Sequence, residues 1–118
     1  MNTSEAIAVC ITAAMIVMDY ASGLLKAGMN HDISSSKMRE GLYHKAAYVG
    51  IVILAAVLEQ ATLVVDIGIT MPLVTPACAY IVLTELSSIL ENLGEVNPDL
   101  KDSRLLLLFR SNKEDDAR

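Results

Sequence analysis

Tryptophan is absent from this 118-residue chain, phenylalanine occurs once, and aromatic residues make up only 4% of it. Hydrophobic residues nevertheless reach 53%, and the mean hydropathy is +0.46, so the apolar content is aliphatic and too large for a small soluble domain. Basic residues are missing before Lys26 and again between Val65 and Leu100. The first gap leaves no positive n-region for a secretory signal peptide, and no Ala-x-Ala site closes the first apolar segment, so that segment is expected to stay attached. The net charge of −5 comes without a basic patch, which excludes nucleic acid as a partner. Only two cysteines occur, Cys10 and Cys78; both lie in apolar stretches without a CxxC spacing, where they read as small hydrophobes rather than as a disulfide or a metal site. Phosphate-cradling glycine loops, GxSxG, HExxH and Cys/His clusters are all lacking, so no catalytic residue, cofactor or metal is expected.

What the chain does have is length without charge. Residues 6–25 and 46–65 each run thirteen positions free of ionisable acids and bases before a single carboxylate, Asp19 or Glu59. A helix rising about 1.5 Å per residue lets either stretch cross a hydrocarbon core of about 30 Å. An acid at such depth costs about 2.5–3.5 kcal/mol on insertion scales, which marks it as a functional candidate. In antiparallel helices Asp19 would lie about 20 Å from the outer surface and Glu59 about 10 Å from it, so the two are not expected to touch within one molecule. Water-free surroundings penalise both charges, and the acids therefore favour oligomers.

Residues 67–83 are also apolar but contain Pro72 and Pro76, neither suited to a helix interior. The expected third span is thus proline-interrupted: Thr75 as N-cap, Pro76 as first helical residue, Gly94 as C-cap, with Asp66, Gly68 and Pro72 in an outer turn. Lys26, Lys37, Arg39 and Lys45 lie in or beside the first connection, and the remaining basic residues lie from Lys101 onward. Loops rich in Lys and Arg stay cytoplasmic, so the N-terminus is expected outside and the C-terminus inside, a parity that needs three crossings. The connection at residues 28–44 reads as a polar turn with a short helix leading into the second span, and His31 and His44 in it are surface residues. Asn97 and Pro98 open a short final helix whose apolar run at residues 105–109 lies on the inner membrane surface, followed by a solvated tail. Residues 1–96 form the helical membrane domain and 97–118 a cytoplasmic appendage.

On a helical wheel the third span is amphipathic: Glu85, Ser88, Glu91, Asn92 and Glu95 share one side, Val82, Leu86, Ile89, Leu90 and Leu93 the other. The first span carries a milder stripe of Thr12, Asp19, Ser22, Gly23 and Lys26, and the second one of Ala55, Ala56, Glu59, Thr62 and Asp66. Ala46/Gly50 and Gly23/Ala27 fit the small-xxx-small spacing that lets membrane helices approach closely.

Three blocks of residues resemble one known family. They are Asp19-Tyr20 with Gly23-Leu24 and Ala27; Ser35-Ser36-Lys37 with Gly41-Leu42 and Lys45; and, most specific, Glu85-Leu86-Ser87-Ser88-Ile89-Leu90-Glu91-Asn92-Leu93-Gly94 followed by Pro98. In order and spacing they resemble the bacteriophage holins of the toxin-secretion/phage-lysis type. Residues 65–75 and the segment after Leu100 match nothing in that pattern, and Glu59 stands where the family often has Asp. The resemblance implies a small protein that accumulates in the bacterial cytoplasmic membrane, assembles as a homo-oligomer, and permeabilises the bilayer so that a cell-wall hydrolase or a toxin escapes.

Within that reading Asp19, Gly23, Glu59, Glu85, Ser88, Glu91 and Asn92 are the candidates for lining or assembling the lesion, and Lys26, Lys37, Arg39 and Lys45 for orienting the chain. Two other functions fit the same residues. A small proton-coupled transporter subunit would use Asp19 or Glu59 to bind a proton, and a structural membrane adaptor would leave permeability intact.

Overall fold

The computed structural model describes residues 1–102 and is all-helical over them, with no strand. Three α-helices follow one another: α1 (Thr3–Met29), α2 (Ser35–Val64) and α3 (Val74–Val96), closed by a short 3-10 turn at Pro98–Asp102. All three helices are long and apolar enough to cross a membrane. The protein is a multi-pass membrane protein, and its polarity is inverted accordingly. Among the described residues six buried ones are polar or charged, namely Glu5, Thr12, Asp19, Ser22, Glu59 and Glu85, while 25 large hydrophobic residues are exposed. A water-soluble fold of this size could not leave so much contiguous apolar surface bare, whereas acyl chains cover it at no cost.

The first two helices start where local chemistry favours them. Asn2 and Glu5 form a capping box: the Glu5 amide donates to Asn2 Oδ1 at 2.8 Å, and the Asn2 amide donates to Glu5 Oε2 at 3.1 Å. Ser34 caps α2 by accepting from the Lys37 amide. Between them His31 adopts a left-handed φ of 55°, and the Asp32 amide donates back to the Ala27 carbonyl, so the chain reverses within residues 30–34. The polar segment 35–44, where a short helix was expected to lead into the second span, is the first third of α2 and continuous with it. Its residues are good enough helix formers to continue past the membrane face, and the Ser34 cap sits where the connection was expected to be in mid-course.

The third helix also departs from expectation. Pro72 lies in the turn before it, as expected, but Thr75 is inside it rather than capping it, and Pro76 occupies the third helical position, where the backbone has no intrahelical acceptor to lose. The helix is therefore uninterrupted. Gly94 is an internal, buried residue, and Asn97 forms the C-cap. The connection between α2 and α3, residues 65–73, turns at Gly68 (φ 78°), whose amide donates to Asp66 Oδ1, and it exposes Ile67, Ile69 and Met71. Beyond α3, the Asp99 amide donates to Asn97 Oδ1 at the start of the 3-10 turn. The interfacial run expected at residues 105–109 and the tail after it lie outside the described residues.

The helices alternate in direction, so α1 and α3 are parallel and pack along most of their length. α2 runs antiparallel to both, touches α3 over a shorter stretch and α1 scarcely. The apolar core is small and centred where the three meet, on Val52, Ala55, Val74, Cys78 and Ile81. Polar groups lie above and below this plug.

Candidate functional site

Asp19 sits on the C-terminal half of α1, and a stripe of small or polar residues brings α3 close to it. Ser22 is one turn further on, and a Cβ at Gly23 would stand 3.7 Å from Asn92 Nδ2. Asn92 uses this approach: its Nδ2 donates to Asp19 Oδ1 at 3.2 Å and to Ser22 Oγ at 3.1 Å. Ser22 Oγ in turn donates to the Asp19 backbone carbonyl. From the other side Lys45 of α2 reaches in. Its Nζ donates to Asp19 Oδ2 and, at 2.6 Å, to Oε2 of Glu85, which is 1% exposed. The same ammonium lies 5.7 Å from the centre of the Tyr48 ring. All three helices are thus joined at one cluster of Asp19, Lys45, Glu85, Asn92 and Ser22. It sets two carboxylates against one ammonium, with a hydrogen bond from Asn92 to the second oxygen of Asp19, the arrangement that makes buried charge tolerable.

Beside this cluster a half-open cavity of about 540 Å³ separates α1 from the first half of α2. Tyr20, Leu24, Met38 and Tyr48 give it apolar walls, and Ser88 lines it next to the cluster. Nearer the first connection Lys26 pairs with Glu95 at 3.2 Å, and Lys37 with Asp32 at 2.7 Å.

At the opposite end, the N-terminus of α3 has no cap of its own, since Leu73 stands at that position. Glu59 of α2 supplies it. Its carboxylate, 6% exposed, accepts from the Leu73 amide at 3.0 Å and also faces the Val74 amide, an anion at the positive end of a helix dipole. Glu5 of α1 lies beside it.

The polar residues expected to share one side of the third span do not act together. Glu85, Ser88 and Asn92 turn inward, Glu95 meets Lys26, and Glu91 is exposed about a third of a turn away. Asp19 and Glu59 occupy separate sites, as their depths required. Their desolvation, expected to favour oligomers, is relieved within one chain. Of the four orienting cations, Lys37 and Arg39 are exposed, whereas Lys26 and Lys45 are bound into the bundle. Lys45 is the residue whose part in the site was missed. It borders an uncharged run and looks like a flanking anchor until α2 is seen to begin ten residues before it. Glu5 was missed because its position marks a helix start as much as a buried acid. Among the described residues no cluster of His, Cys, Asp or Glu could hold a metal ion.

Neither a curated protein nor a solved structure shows significant similarity to the chain. A family model does: that of the bacteriophage holin family matches residues 3–102, all three spans and the turn after them. By that match, over most of its length, the chain belongs to the bacteriophage holin family.

Proposed function

We propose that this holin assembles as a homo-oligomer in the bacterial cytoplasmic membrane and permeabilises it, releasing a cell-wall hydrolase or a toxin without catalysing a reaction itself. The observation that carries the reading is the inverted polarity of a family member: three apolar-surfaced helices folded around Asp19, Lys45, Glu85 and Asn92. A subunit closed in this way presents hydrocarbon to lipid. When subunits associate and their helices part, Asp19, Glu85, Ser88 and Asn92 become walls of a water-filled lesion, where charge is no longer penalised. Gly23 faces Asn92 across the α1–α3 seam, Glu59 holds the outer end of α3, and exposed Glu91 meets neighbouring subunits. Lys26, Lys37, Arg39 and Lys45 keep the first connection cytoplasmic, with the N-terminus outside. Moving a charge through the membrane field is worth about 2.3 kcal/mol per 100 mV, which makes assembly sensitive to depolarisation.

Controlled expression in bacteria, following viability, membrane potential and escape of a co-expressed hydrolase, tests this. Abrupt collapse of potential followed by hydrolase-dependent lysis, advanced by an uncoupler, is the expected outcome. Saturable, solute-specific flux in intact cells would replace the reading by a transporter, and unaltered permeability by an adaptor.

A further inference from the structure

α2 is the least embedded of the three helices. Only Val52, Ala55 and Glu59 of its 30 residues are buried, all in its outer half. Between Ser35 and Ile51 it has no buried residue, and the 540 Å³ cavity stands between this half and α1. Across that gap run a light contact, in which a Cβ on Gly41 would reach the Tyr20 ring at 3.8 Å, and the Lys45 side chain. Among the described residues, Lys45 makes the ion pairs that tie the inner half of α2 to both other helices, through Asp19 and Glu85.

The geometry points to Lys45 as the positioning residue that latches α2 onto the α1–α3 pair and so delays opening of the subunit. Held, it keeps the inner polar faces covered. Released, it lets the inner half of α2 swing about the Val52–Ala55 contact and uncovers Asp19, Ser22, Glu85 and Asn92 together. Its effect on lysis timing rests on the function proposed above, but its effect on helix separation does not.

Two spin labels on the full chain in liposomes test the latch directly, placed at exposed positions by Ala21→Cys on α1 and Leu42→Cys on α2, with Cys10 and Cys78 replaced by Ala. With Lys45 present the distance distribution is expected to be narrow. Lys45→Met should lengthen and broaden it, and Lys45→Arg should restore the original distribution, because a guanidinium can still bridge two carboxylates. Glu85→Gln keeps shape and an acceptor oxygen while removing one charge, and an intermediate broadening is expected. It decides the matter if circular dichroism shows Lys45→Met to have lost its helices. An unchanged distribution in the folded variants overturns the latch. In expressing cells Lys45→Met should bring lysis onset to half the original time or less, with Lys45→Arg near the original; unchanged or later onset also overturns it. If the unsubstituted chain causes no permeabilisation, the functional reading falls and the distance measurement still judges the latch.

Discussion

Glu59 shows how one side chain changes meaning with its neighbours. In the linear chain it is a carboxylate stranded in apolar residues; in the fold it caps another helix, accepting from the Leu73 amide where that helix brings no cap of its own. Replacing it with Ala should accelerate hydrogen exchange at the Leu73 and Val74 amides in micelles while leaving the middle of α3 unaffected. Equal rates with and without the carboxylate would remove the capping role. Gly23 gives the opposite lesson. Its small size suggested an obligatory close approach, yet a methyl group there would meet Asn92 at 3.7 Å, an ordinary van der Waals contact. Because Ala in a helix interior is favoured over Gly by about 0.5–1 kcal/mol, Gly23→Ala should unfold no earlier than the original protein in a detergent melt. A clear loss of stability would mean that the α1–α3 approach is tighter than this.

At the scale of elements, α3 divides its acids by use. Glu85 lies under Lys45 with almost no exposure, and Glu91 faces outward. Removing one partner of a buried ion pair costs about 3–5 kcal/mol, whereas exposed substitutions stay within about 0.5 kcal/mol. Glu85→Ala should therefore lower the melting temperature of the solubilised chain by many degrees and Glu91→Ala by almost nothing; similar losses in both would contradict the orientation of the helix. The three helices themselves were legible from unbroken apolar length, which is a local property. Their ends were less so. A short helix leading into the second span was legible, but not that it starts at Ser35, because a helix extending into the polar zone carries the same residue types as a loop. Pro76 was expected as first helical residue and stands third, where a proline in the first turn still displaces no hydrogen bond. The N-terminus of α3 was unreadable in principle, because its cap comes from another helix.

For the whole molecule, the decisive property is the exchange of inside and outside, with polar groups enclosed and aliphatic side chains displayed. Composition and the pattern of spans disclosed that the chain belongs in a membrane, and single acids at depth disclosed where to look. They did not disclose the partners. Lys45 and Glu85 are 40 positions apart, and Asn92 and Asp19 are 73 apart, so their meeting depends on how three helices rotate against one another rather than on any local spacing. That rotation also explains why a closed subunit tolerates its charges and why parting the helices yields a wet surface. Thr12 reports on this transition most directly, since it is 2% exposed and lies on the inner side of α1 between Glu5 and Asp19. A thiol reacts as thiolate and so needs water. In cells expressing Thr12→Cys, with the native cysteines replaced by Ala, a membrane-impermeant maleimide should fail to label the protein before lysis onset and label it strongly afterwards, while Leu83→Cys on the lipid-facing surface stays unlabelled throughout. Should Thr12→Cys remain unreactive after the membrane has failed, the bundle interior does not line the lesion.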